Sequence, residues 1–176
     1  MQQEQVSFVS SVSEYQWLEN IGMEANRTVC EEAVQAFARQ MGITVESVAW
    51  LSSDEFAQSY GGPIERTGLY AQLVNRLQSI KESVKGSDQE IPVAKAVDQV
   101  TDAVFHPVFD KAYERLGGYS EEAAKNAVKL AVAIAAAAFA HEAAGMGEEN
   151  SFAKLSEVLA YGHLPVNWEN GRFAIL

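Results

Sequence analysis

Most of the chain carries apolar residues at the three- and four-residue spacing of amphipathic α-helices. One stripe of large aliphatic side chains predicts a helix over residues 64–85, and a stripe spaced by four predicts another over 92–117. A third helix is predicted over residues 24–41, where Gly42 follows as a C-terminal cap. Pro107 lies inside the 92–117 stripe and should kink that helix, because proline removes a backbone donor and clashes with the preceding turn.

The segment from Ser120 to Gly145 is rich in alanine and nearly all apolar in its second half. Ser120 should cap this helix at its N-terminus. Small alanine side chains let neighbouring helices approach closely, so we expect this helix at the centre, wrapped by those at 64–85 and 92–117. Its unbroken apolar run, Leu130 to Ala140, is eleven residues long, whereas a membrane-spanning helix needs about 20.

The pattern changes at both ends of the chain. Partial alternation of valine and serine in residues 1–22 predicts an extended arm or strand, with a helix as the alternative. Asn170-Gly171, flanked by alternating apolar residues, predicts a β-hairpin over 165–176. Residues 6–12 are the segment with which this hairpin would pair.

Three short helices complete the prediction, one of them over residues 151–161. Thr44 suits the N-cap of a helix reaching Leu51, and Ser53 begins another that ends at the Gly61-Gly62-Pro63 punctuation. The predicted fold class is therefore mostly α: a helical bundle forming a single domain over residues 1–176, with a central Ala-rich helix and a small C-terminal β-hairpin.

The net charge of the chain limits the classes of macromolecule that it can bind. The formal net charge is −11, and residues 1–61 hold nine acids against only Arg27 and Arg39. This balance argues against nucleic acid and anionic membranes, which both require clustered Lys and Arg. It predicts instead a protein partner with a basic surface, for which we select Glu31, Glu32 and Glu46 as the binding face.

The sequence contains no common cofactor or metal motif. Its single cysteine, Cys30, cannot form an intramolecular disulfide, and its helical spacing from Val34 and Phe37 predicts a buried structural thiol. We find no glycine-rich nucleotide loop, no nucleophile elbow and no His-Glu-x-x-His zinc motif. We therefore expect no cofactor and no metal, and these absences favour a protein that is not an enzyme.

Two positions keep an enzyme open as an alternative. On the 92–117 helix, acids and one histidine recur every fourth residue: Asp98, Asp102, His106, Asp110 and Glu114. Such a line could bind a metal or tune a general base at His106 with Asp102 or Asp110, whereas the simpler interpretation is the solvated face of an amphipathic helix. His141, next to Glu142 near the end of the Ala-rich helix, is the other candidate, although a capping or core role also explains it.

A second alternative is a binder of a small apolar ligand in the helical core. Its pocket would be lined by large apolar side chains facing small ones at Ala133, Ala136 and Ala137. The candidate lining residues are Phe105, Phe109, Tyr113 and Phe139. Tight helix packing is the competing interpretation of the same alanines.

The leading hypothesis is a non-enzymatic acidic protein that acts through protein–protein interaction, as a regulator, inhibitor or immunity-type protein. No basic stretch precedes an apolar run near the N-terminus, and no apolar run is long enough to span a bilayer. We therefore expect a soluble, cytoplasmic protein without a membrane partner. The pattern leaves open whether the chain forms a homo-oligomer.

Overall fold

The structure, a computed structural model, describes residues 2–65, 68–104, 107–147 and 149–176, with side chains from residue 8 onward. The helices in these ranges are α1 (Gln2–Ser13), α2 (Gln16–Glu19), α3 (Arg27–Met41), α4 (Ser53–Tyr60), α5 (Gly68–Val84), α6 (Glu90–Val104), α7 (Pro107–Leu116), α8 (Glu121–Ala143) and α9 (Ser151–Ala160). The strands are β1 (Ser47–Trp50), β2 (Pro165–Glu169) and β3 (Arg172–Ile175). The predicted fold class, a mostly α protein with a small β element, is confirmed.

The Ala-rich helix α8 is the centre of the fold, as the sequence predicts. Helices α5, α6 and α7 pack on it together with α1 and α9. Ser120 caps it, since its side chain accepts a hydrogen bond from the Ala123 N–H. By length and hydropathy α8 could cross a membrane, but 72% of its apolar window is buried inside the protein. That burial is typical of the core helix of a soluble protein.

The helix predicted over 92–117 is described as two helices, α6 and α7. Phe105 and His106 lie between them, outside the described residues. The description of α7 begins at Pro107, next to these two residues, so the predicted kink at Pro107 stays a prediction.

The C-terminal hairpin is present where the sequence predicts it. Strands β2 and β3 pair antiparallel, with Trp168 opposite Phe173. Asn170 and Gly171 connect them with φ angles of 50° and 76°, the left-handed pair that a tight two-residue hairpin turn requires. Asparagine and glycine adopt this conformation at the least energetic cost, so these two residues are sufficient to specify the turn.

Two local predictions are wrong. The extended arm is wrong for residues 2–13, where the alternative, a helix, is present as α1, with Phe8, Ser11 and Val12 buried at helical spacing. A helix is predicted from Thr44 to Leu51, but residues Ser47–Trp50 of this segment form strand β1. Both segments mix valine and serine, whose intrinsic preferences are weak enough for tertiary packing to decide between helix and strand.

The partner of the hairpin is therefore different from the predicted one. The sheet order is β1-β3-β2, and β1 pairs with β3 in parallel, Val48 opposite Phe173 and Trp50 opposite Ile175. An apolar strand such as β3 needs its backbone N–H and C=O groups paired when it is buried. β1 satisfies one side of it and β2 the other.

Candidate functional site

A groove lies between helix α3 and strand β1, and we call it the acidic groove. Its volume is about 540 Å³. The lining residues are Thr28, Glu31, Glu32, Gln35 and Arg39 on α3 and Glu46, Ser47 and Val48 at β1. The structure thus brings together the three acids that the sequence selects on charge alone, although Glu46 lies beyond the end of α3, which carries the other two. Whether a partner binds there stays a prediction.

The amphipathic pattern of α3 creates one wall of the acidic groove. Cys30, Val34 and Phe37 form part of the buried face of the helix, and the Phe37 ring lies 6.3 Å from the ring of Phe173 on β3. Helix α3 therefore rests on one face of the sheet. The stripe that carries Glu31 and Glu32 is rotated away from this contact, so it overhangs the edge of β1.

Strand β1 forms the other wall, and it is an edge strand. Within the described part of the chain, β3 is the strand paired with it, and the side facing the groove carries no further strand. The N–H of Ser47 donates to Gly171 O at 3.3 Å, and that of Leu51 to Ile175 O at 2.8 Å. Because backbone groups alternate along a strand, those of Val48 and Trp50 point away from β3, at the edge where Val48 lines the groove.

The three acids of the groove differ in their surroundings. Glu32 and Glu46 are exposed, whereas Glu31 is half-buried and accepts a hydrogen bond of 2.8 Å from the indole Nε1 of Trp50. That bond ties α3 to β1 across the end of the groove. Glu31 therefore has a structural task in addition to its charge, and Glu32 and Glu46 are the acids best placed to meet a partner.

Trp50 is the centre of a polar and aromatic cluster beside the groove. The guanidinium carbon of Arg27 lies 4.8 Å from its ring centroid, a cation–π arrangement, and the ring of His163 approaches edge-on at 4.9 Å. His163 Nε2 lies 2.7 Å from Ala25 O, and it must donate because a carbonyl only accepts. Within the described part of the chain, His163 Nδ1 is buried without a hydrogen-bond partner. Sequence reasoning missed this cluster, because its members belong to segments far apart in the chain.

Cys30 lies on the buried face of α3, beneath the acidic groove. Its side chain is fully buried, as predicted. Burial raises the pKa of the thiol to about 12, and the nearby charge of Glu31 adds to that shift. The thiolate is therefore strongly disfavoured, which argues against a nucleophilic role for this cysteine.

The acidic ladder of α6 and α7 is a solvent-exposed face. Asp98, Asp102, Asp110 and Glu114 are all exposed, and Glu114 pairs with Lys111 at 3.4 Å. In the described ranges, no group of three His, Cys, Asp or Glu side chains is arranged to hold a metal ion. His106 itself lies outside the described residues, so the predicted enzyme role of His106 with Asp102 or Asp110 stays a prediction.

His141 lies in a second cleft, of about 490 Å³, between α3, α5, α8 and the start of α9. The side chain is 3% exposed, and its Nδ1 lies 3.2 Å from Nη2 of Arg76. Because a guanidinium only donates, His141 Nδ1 is the acceptor. Glu142 is directed elsewhere, since its Oε1 accepts from the side chain of Asn150 at 3.2 Å. The structure therefore separates the neighbours His141 and Glu142, and a catalytic role of His141 stays untested.

The predicted apolar ligand pocket is dispersed over different environments. Phe139 is buried, and its ring centroid lies 6.1 Å from that of Phe8. Tyr113 is 46% exposed, Phe109 is half-buried, and Phe105 is outside the described residues. Ala136 and Ala137 are buried, which fits close helix packing. These observations give the ligand hypothesis no support, and it stays a prediction.

Comparison with known proteins adds no relative. No protein-family model, curated protein or solved structure matches the chain. The acidic groove, the His141 cleft and the Trp50 cluster therefore have to be interpreted from their own chemistry.

Proposed function

We propose that this protein is a non-enzymatic interaction protein that binds a basic segment of a partner protein in the acidic groove. One observation carries the proposal: Glu31 and Glu32 of α3 and Glu46, just before β1, line the same groove. Groove-lining carboxylates of one sign attract a basic partner and speed its encounter. The proposal places the protein in the cytoplasm, as a regulator, inhibitor or immunity-type protein.

The charge inside the groove supports a basic ligand over a neutral one. Arg39 is the positive side chain among the groove-lining residues, against the three glutamates. The exposed acids Glu32 and Glu46 retain water, so each ion pair with a ligand contributes only about 0.2–1 kcal/mol and weakens with salt. Affinity from charge alone is modest, and the groove needs several such contacts at once.

The test measures binding of a defined basic probe by isothermal titration calorimetry at two salt concentrations. The probe is an acetylated and amidated octapeptide in which lysine and threonine alternate, and its partner control replaces every lysine by glutamate. We expect the lysine peptide to bind and to weaken with salt, and the glutamate peptide not to bind. The double variant Glu32→Lys/Glu46→Lys should weaken binding by about tenfold or more.

A matched control distinguishes the contribution of the groove to binding from that of the overall negative charge of the protein. Asp98→Lys/Asp102→Lys changes the net charge equally at exposed positions of α6, and it should leave the affinity within about twofold at moderate salt. Glu31→Gln removes charge while keeping an oxygen for the Trp50 indole, so it should weaken binding without opening the cluster. Equal losses in the groove and α6 double variants would refute the proposed site.

A further inference from the structure

We infer that the basic segment binds as an added β-strand along the groove-facing edge of β1, under the overhang of α3. This inference rests on the proposed function, and it specifies the conformation and side-chain pattern of the ligand. Strand addition is one of the general ways in which proteins bind extended peptides: backbone hydrogen bonds supply affinity and alternate side chains supply specificity.

The backbone of β1 offers the hydrogen bonds that an added strand requires. Ser47 and Leu51 direct their N–H groups at β3, so Val48 and Trp50 direct theirs at the groove. β1 is half-exposed beyond its first residue, and its one extensive backbone contact within the described ranges is with β3. An additional strand would lie about 4.8 Å from β1, in the volume that the acidic groove provides.

The sheet register fixes which side chains of the added strand meet the acids. Val48 is in register with Phe173, so both side chains lie on the same face of the sheet. Phe173 contacts Phe37 of α3 on that face. Residues of the added strand aligned with Val48 and Trp50 therefore point at the flank of α3 that carries Glu31 and Glu32. The ligand should place Lys or Arg at every second residue.

The same acids argue for a foreign segment over a second copy of this chain. Exposed edge strands usually carry lysine, proline or a bulge that prevents edge-to-edge pairing, whereas β1 reads Ser-Val-Ala-Trp. Pairing two β1 edges would bring two copies of Glu32 and Glu46 together, and like charges in close proximity repel. The edge therefore rejects its own copy and accepts a strand of opposite charge.

The first measurement is amide hydrogen exchange by NMR with and without saturating lysine–threonine octapeptide. We expect protection of the Val48 and Trp50 amides to rise at least about tenfold on binding. The Ser47 and Leu51 amides already donate to β3 and its turn, so they are internal controls that should change little. Binding that leaves the Val48 and Trp50 amides unchanged would overturn strand addition.

The second measurement modifies the peptide and leaves the protein intact. One octapeptide is N-methylated at every lysine and another at every threonine. In an antiparallel strand the α3-facing residues direct their N–H groups at β1, and in a parallel strand the alternate residues do. One of the two peptides should therefore lose at least about tenfold in affinity while the other binds, and the sensitive peptide reveals the strand direction.

These outcomes separate the two proposals. If neither N-methylated peptide is weakened, yet binding still depends on Glu32 and Glu46, strand addition is wrong and the proposed function stands. If the unmodified lysine–threonine peptide does not bind, or binds the Glu32→Lys/Glu46→Lys variant equally well, the proposed function fails and the inference fails with it.

Discussion

Helix α8 and helix α3 are both predicted from the sequence as helices, but they have different roles in the fold. Of the 23 residues of α8, 14 are buried, whereas α3 buries five of its 15. α8 is covered by neighbours on nearly all sides, so its surface serves stability. α3 uses one face for packing and keeps its acidic flank over the edge of β1. The contrast indicates that stability and recognition reside in different parts of this molecule.

The buried face of α3 packs on the sheet and on α9, and the loss of this contact should have the largest effect on stability. Phe37 is fully buried, with ring centroids 5.9 Å from Phe152 and 6.3 Å from Phe173. Phe37→Ala should lower the free energy of unfolding by about 3–5 kcal/mol, since it removes a large side chain and leaves a cavity. Urea denaturation measures this, and the exposed Gln40→Ala on the same helix is the control. A loss below about 1 kcal/mol would contradict the described packing.

Close packing around α8 should make it intolerant of larger side chains. Ala135 is fully buried on α8, and Ala135→Leu inserts three additional carbons where helices meet. We expect destabilisation of about 1–3 kcal/mol. The same substitution at the exposed Ala94 of α6 should stay within about 0.5 kcal/mol. A neutral Ala135→Leu would instead indicate a cavity of the kind the apolar ligand hypothesis requires.

The hairpin turn at the margin of the acidic groove should show an intermediate effect. Gly171 has a φ of +76°, and a Cβ there would lie 3.1 Å from the carboxyl carbon of Glu46. Gly171→Ala should cost about 1–2 kcal/mol, because the left-handed conformation is strained for any residue with a Cβ. Gly118→Ala is the matched control, since its Cβ would enter open space. Thermal melts that are equally shifted for both variants would disagree with this turn geometry.

The smallest effect on stability should come from the residues proposed for recognition. Glu32 and Glu46 are exposed, so Glu32→Lys/Glu46→Lys should change the free energy of unfolding by no more than about 0.5 kcal/mol. The same variant should lose most of its affinity for the lysine–threonine peptide. Stability and binding would then separate in the way the contrast between α8 and α3 requires. A large destabilisation would mean that these acids help to hold the fold.

Local chemistry explains why several elements could be predicted from the sequence. The cap at Ser120, the alanines that follow it and the Asn170-Gly171 turn act within a few residues of their own positions. Capping, spacing and left-handed turn preferences operate over that range in any fold. The capping box of Ser52 and Glu55 at the start of α4 belongs to the same class, and the helix beginning at Ser53 was predicted correctly.

Contacts over long sequence separations explain the errors. β1 and β3 pair across more than 120 residues, and nothing within residues 44–51 specifies that partner. α1 is a helix because Phe8 and Val12 are buried against distant elements, while its own valines and serines favour no single conformation. Burial of α1 and pairing of β1 with β3 therefore outweigh local preferences of about a few tenths of a kcal/mol per residue.

The features of the candidate site were also partly determined by the sequence and partly only by the tertiary structure. Composition alone determined that the chain is acidic in its first third and that the Ala-rich helix α8 is central, and helical periodicity determined that Cys30 faces the core. Only the tertiary structure decided that Glu46 lies across a groove from Glu31 and Glu32, that Glu31 binds the Trp50 indole, and that β1 leaves one edge toward that groove. The physical reason is that charge and periodicity are properties of a segment, whereas a groove exists only between segments that folding brings together.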